Sequence, residues 1–136
     1  MKPATNGLAA LLAAMAVGVA APAVACGYCV EDKVAATYDH AVVARARAQG
    51  HEVVYLSLQF AGPVDRDIAG RIGKAIERMA FVDRGSVRVA IDAGSLSLAF
   101  DAKRASAGGM LDAVERAVTP LGARTALLQF GSPDKL

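Results

Sequence analysis

Residues 52–80 read EVVYLSLQFAGPVDRDIAGRIGKAIERMA, and the fold turns on a change of period inside them. Val54, Leu56, Leu58 and Phe60 alternate with Tyr55, Ser57 and Gln59, which predicts a strand from Glu52 to Phe60 with one buried face. Ala61-Gly62-Pro63 turns the chain. Asp65 can then cap a helix running to about Ala80, with Ile68, Ile72, Ala75, Ile76 and Met79 as its apolar stripe. Gly70 and Gly73 each weaken that helix by about 1 kcal/mol relative to alanine, a cost that close approach to a sheet or a partner would explain.

Working outward, two short strands follow. Val87, Val89 and Ile91 alternate with Arg88, Ala90 and Asp92; Leu96, Leu98 and Phe100 alternate with Ser97, Ala99 and Asp101. Asp92-Ala93-Gly94-Ser95 between them has hairpin-turn composition. A helix from about Ser106 to Val118 turns Leu111, Val114 and Val118 inward, Thr119-Pro120 ends it, and a last strand runs from Arg124 to Phe130. The order βαββαβ predicts an α+β, ferredoxin-like sandwich: an antiparallel sheet with two helices on one face. Upstream, Val34, Tyr38, Ala41, Val42 and Ala46 predict an additional N-terminal helix over residues 31–49. Glu31 and Asp32 in its first turn and Arg45 and Arg47 near its last suit the helix dipole, and Gly50 supplies a stop. Its packing place is open from sequence.

Met1 to Ala25 reads as a signal peptide. Lys2 is followed by the apolar run Gly7–Ala20, then Pro22, then Ala23-Val24-Ala25, the small-residue pattern of a cleavage site. The run falls short of the roughly 20 residues that span a bilayer. The expected organisation is residues 1–25 signal peptide, 26–50 cysteine pair and N-terminal helix, 51–130 ferredoxin-like domain, and 131–136 flexible tail. The expected location is therefore exported and periplasmic, with a lipid-anchored form through Cys26 as an alternative. The 15 basic and 13 acidic residues give a formal net charge of +2; interspersed as they are, they argue against nucleic acid as a partner.

The two cysteines, in Cys26-Gly27-Tyr28-Cys29, follow the leader directly. Such a pair can clasp one soft ion between two sulfurs, and Cu(I) accepts two thiolates readily. His40, Met79 and Met110 are conceivable further donors, though no spacing commends them. A closed zinc site is disfavoured, because Cys26, Cys29, His40 and His51 lack finger spacing. Haem is not expected, since Val30 stands where covalent attachment needs histidine, and no phosphate loop predicts a nucleotide. Two other readings stand beside the metal: a local structural disulfide, and a thiol–disulfide exchanger, which lacks the strand that normally precedes its motif. No nucleophile–base constellation points to an enzyme.

From Ser57 to about Ala123 the chain resembles the heavy-metal-associated domain of copper chaperones and metal-pumping ATPases. The resemblance rests on Gly62-Pro63-Val64-Asp65-Arg66-Asp67-Ile68, on Arg71-Ile72-Gly73-Lys74-Ala75-Ile76, on Val87 to Ile91 and Leu96 to Asp101, and on the helix ending before Leu121-Gly122. It implies the βαββαβ fold and soft-metal binding. That family carries Gly-Met-Thr-Cys-x-x-Cys in the first loop; here Asp65 and Ile68 occupy the two cysteine positions. The same ligand type stands upstream instead. The combined expectation is an exported, non-enzymatic protein that binds Cu(I) through Cys26 and Cys29 for buffering or hand-over, its partners being a soft metal ion and another exported protein or itself. The alternative is an interaction module whose extra helix and sheet form the contact surface.

Overall fold

The computed structural model describes residues 29–131. Their elements run α1 (Val30–Thr37), α2 (His40–Gln49), β1 (Glu52–Phe60), α3 (Ile68–Glu77), β2 (Arg88–Ala90), β3 (Ser95–Phe100), α4 (Ala107–Val118), a 3-10 turn (Thr119–Leu121) and β4 (Ala123–Phe130). The four strands form one antiparallel sheet in the order β2-β3-β1-β4. This is the ferredoxin-like order, with the long β1 central because both β3 and β4 return beside it.

α3 and α4 cover one face. Ile68, Ile72 and Ile76 of α3 and Met110, Val114 and Val118 of α4 meet Val54, Leu56, Leu58, Leu96, Leu98 and Phe100 in the main core. Burial at four-residue spacing is what an amphipathic helix on a sheet requires. Met110, not Leu111, is the first inward residue of α4, and Leu111 is half-buried beside it. α3 begins at Ile68 rather than at Asp65. Asp65 closes a preceding turn by accepting Ile68 N–H at its backbone carbonyl, 3.2 Å away, and Asp67 is the N-cap residue. A Cβ at Gly70 or Gly73 would meet nothing within 4 Å, so close approach to the sheet does not account for these glycines.

The second face is also covered, and by the N-terminal segment. Val34, Val42, Val43 and Ala46 pack on Val53, Tyr55 and Ala99. β1 is therefore buried on both faces from Val53 to Leu58, not on one as the alternation suggested. The structure is a three-layer α/β/α sandwich. That second sheet face is occupied by the chain's own helices.

The N-terminal helix is two helices, not one over residues 31–49. Tyr38 and Asp39 are extended (φ −67°, ψ 129° and φ −134°, ψ 111°). The Asp39 carboxylate accepts the N–H of Ala41 at 2.9 Å and of Val42 at 3.2 Å, which starts α2 afresh. Arg88 of β2 holds the same carboxylate through Nε at 3.0 Å and Nη2 at 2.7 Å. The break is thus tied to the sheet edge, and it lets both halves lie flat on a short sheet. Gly50 ends α2 in the left-handed region at φ 70°.

The Arg88 guanidinium, followed by the Val42 N–H, holds the Asp39 carboxyl below its usual value of 3.8. The folded form binds this proton less readily than the unfolded chain does. The carboxylate's stabilisation is therefore full above that value and is lost as the pH falls below it, through the lower value of the folded form. Melting temperature measured from pH 7 down to pH 2 should drop in the acid range, and Asp39→Asn should flatten that part of the profile.

β2 is only three residues long because the loop before it takes over the rest of β3's edge. Val82 bridges Phe100, Asp83 N–H donates to Ala99 O at 2.9 Å, and Ser86 Oγ accepts Ala99 N–H at 3.1 Å.

Candidate metal centre

α1 is fastened to the sheet by hydroxyls. Ser95 Oγ donates to Lys33 O at 2.5 Å and Ser97 Oγ donates to Thr37 O at 2.9 Å. Thr37 Oγ1 and Ser95 Oγ lie 3.2 Å apart as a further bond. The last carbonyls of a helix lack intrahelical partners; Ser97 of β3 supplies one to Thr37 O, and Ser95 adds a second anchor at Lys33 O. Thr37, Ser57, Ser95 and Ser97 are all buried. On sequence alternation these serines belonged to an outer, polar face; the helices above make that face an interior one with paired hydroxyls. Ser95→Ala and Ser97→Ala each remove a donor from a helix carbonyl. Each should cost about 1–3 kcal/mol, read as a shift in the urea midpoint.

These bonds also fix the direction of α1. Ser95 lies opposite Ser57, and Phe100 opposite Glu52. Going from Lys33 to Thr37 follows β3 from Ser95 toward Phe100, so α1 runs antiparallel to β1. Its beginning points to the end of the sheet where β1 leaves into residues 61–67. Cys29, the exposed N-cap residue, extends about 6 Å past Lys33 at 1.5 Å per residue. Its carbonyl accepts Lys33 N–H at 3.1 Å, and its own N–H donates to Asp32 Oδ2 at 3.4 Å. The thiol therefore stands at the same end of the sheet as the first loop, above the opposite face.

Cys26 lies outside the described residues. Three residues of chain keep its Cα within about 11 Å of that of Cys29 in any conformation. The predicted signal peptide and most of the tail lie outside as well. The other candidate donors do not gather at Cys29. His40 is exposed at the start of α2, with its Nδ1 3.5 Å from Tyr38 Oη, beyond the full length of α1. Met79 is half-buried against the main core and Met110 is fully buried in it. The first loop does not suit a soft ion: Asp65 is exposed and offers oxygen, and Ile68 is a core residue at 4% exposure. Among the described residues, no group of three or more His, Cys, Asp or Glu side chains is placed to hold a metal. Of the expected pair, Cys29 is therefore the one sulfur that lies among the described residues.

One polar cluster escaped sequence reasoning. His51 Nδ1 sits 2.8 Å and 3.0 Å from the Asp83 carboxylate oxygens, and Nε2 is 3.8 Å from Asp101 Oδ2. It lies where β1 begins, at the end of the sheet away from Cys29. It borders a cleft of about 440 Å³ lined also by Arg45, Arg84 and Arg104. Both imidazole nitrogens face carboxylates, so the arrangement ties the start of β1 to the 82–86 loop and the end of β3. The pairing spans 32 and 50 positions of sequence, and no local motif announces it.

The sequence matches no family model, and no curated protein resembles it. Solved structures do. Oxidised MerP from Ralstonia metallidurans CH34 is similar over 57% of this chain and 96% of its own, at 21% identity and a TM-score of 0.45. A copper-binding domain from HMA7, a P-type ATPase, is similar over 58% and 96%, at 14% identity and a TM-score of 0.46. The N-terminal domain of a potential copper-translocating P-type ATPase from Bacillus subtilis, in its Cu(I)-loaded state, is similar over 57% and 86%, at 19% identity and a TM-score of 0.44. Among the described residues, no helix is long and apolar enough to cross a membrane.

Proposed function

We propose that this protein is an exported, non-enzymatic binder of a soft metal ion, with Cu(I) held between the thiolates of Cys26 and Cys29 for buffering or transfer to another protein. The observation that carries this reading is the placement of Cys29. It is an exposed thiol on a helix bolted to the sheet by Ser95 and Ser97, at the end of the sheet where the first loop has lost its sulfur positions. Supply of the second sulfur three residues upstream keeps both donors within reach of one ion. Export rests on the leader-like sequence before Cys26, whose removal would leave the pair at the new amino terminus. The heavy-metal-associated resemblance supports the choice of a soft metal over a harder one.

The test is a Cu(I) competition titration against a chromogenic chelator, performed anaerobically on the reduced protein that begins at Cys26. One equivalent should bind, and Cys26→Ser, Cys29→Ser and the double variant should each lose that binding. Equal affinity in the wild type and the double variant would reject the site. Intact mass of protein recovered from its native compartment should show free thiols and cleavage before Cys26; a lipid on Cys26 or a permanent bridge would also reject it.

A further inference from the structure

β4 ends the sheet, and among the described residues no strand lies beyond it. Its outward positions follow from its bonds. Ala61 N–H donates to Gly122 O at 3.2 Å, and Ser57 Oγ reaches Ala126 O, so residues 122, 124 and 126 turn their backbone groups toward β1. In an antiparallel ladder both backbone groups of a residue face the same side and neighbours alternate. Thr125 and Leu127 therefore turn their N–H groups outward, where another strand could take them; Ala123, at 1% exposure, is covered.

One of those donors is already taken. Glu115 of α4 reaches over the edge, and its Oε2 accepts the Thr125 N–H at 2.7 Å and the Thr125 hydroxyl at 2.6 Å. The same two bonds, followed by the Arg124 charge, hold the Glu115 carboxyl below its usual value, so the group is an anion at neutral pH. Two positions further along, Leu127 is 45% exposed, and Phe130 is 39% exposed. From Thr125 to Gly131 the chain carries no charge. Apart from Glu115, the edge has one further irregularity: an extra residue, Leu128, where β4 pairs with Tyr55 and Leu56.

We infer that the outer edge of β4 is a latent self-association surface for a second copy of this chain, kept closed by the Glu115 carboxylate bound across Thr125. A second copy is the occupant that fits. The opposite edge, β2, has three residues and cannot match the exposed length of β4, so pairing closes as β4 on β4. A two-fold axis near Ala126 sets Leu127 of each copy against Thr125 of the other. It also separates the two Arg124 side chains by roughly 14 Å along the strands, beyond the Debye length of about 8 Å at physiological salt. The charges that oppose the pairing are the two Glu115 carboxylates, which this geometry brings to the shared seam. An unguarded apolar edge pairs readily with its like; here a helix side chain both occupies the edge donor and charges the seam.

The experiment is sedimentation velocity on the full chain from Cys26, under reductant so that the thiols play no part. Wild type should remain monomeric at 100 μM, Glu115→Ala should sediment as a dimer, and Glu115→Ala combined with Leu127→Lys should return to monomer. Hydrogen exchange on the wild type supplies a readout that needs no variant: the Thr125 amide should exchange far more slowly than an open edge amide. A folded Glu115→Ala that stays monomeric, a dimer that survives Leu127→Lys, or a Thr125 amide that exchanges freely would each overturn the inference.

Discussion

Replacing Phe100 with alanine should cost about 3–5 kcal/mol of folding stability. Phe100 is fully buried in the main core and does two things there. Its ring fills space between the sheet and the two helices above it, and its backbone forms the bridge to Val82 that lets the 82–86 loop complete the β3 edge. Truncation leaves a cavity where neighbours from several elements converge, and a void of that kind closes only in part. Small domains hold about 5–15 kcal/mol in total, so the variant should retain the fold at 25 °C with a much lower urea midpoint. A folding stability within about 0.5 kcal/mol of wild type would mean that Phe100 is not the centre of the core.

Gly94→Ala should cost about 2–4 kcal/mol, although it adds one methyl group. Gly94 has φ 61°, a region where a Cβ is penalised by roughly 1–2 kcal/mol. The added carbon would stand 2.8 Å from Leu58 O, and that carbonyl cannot retreat freely because Leu58 N–H is bonded to Gly94 O at 2.8 Å. Overpacking against backbone adds a further 1–3 kcal/mol. Gly70→Ala and Gly73→Ala are the controls. Each lies in open space within α3, and each should stabilise by up to about 1 kcal/mol. Chemical denaturation of the three variants in parallel checks the opposite signs.

The strands and the two core helices were legible because each advertises its period: alternation in residues 52–60 and 95–100, and four-residue spacing of Ile68, Ile72 and Ile76. Gly50 also acts as read, as a left-handed stop; Ser106, named only as the approximate helix start, proves to be its N-cap, accepting Gly109 N–H at 3.1 Å. The break at Tyr38–Asp39 was missed because apolar spacing continues across it. The available signal was Asp39 itself, a strong N-cap residue, but its anchor, Arg88, lies 49 positions away. The double coverage of β1 was hidden for a different reason. Ser57, Ser95 and Ser97 look solvated in a pattern that scores polarity, and only a helix laid over them turns small hydroxyls into interior groups. As for the candidate site, the pattern supplied Cys29 and its helix entrance, while the end of the sheet to which it belongs emerged from the Lys33 and Thr37 carbonyl bonds. Cys26 falls outside the described residues, so its side of the pair rests on sequence alone.

Sheathing by helices above and below has a consequence for any macromolecule that meets this domain. Neither broad side of the sheet is left to receive a visitor, so traffic must arrive at the tips or along the rims. At one tip stands a sulfur; along one rim, a carboxylate lies across the backbone. A docking partner would therefore approach along the strand axis or sideways from β4, and not by stacking flat on top.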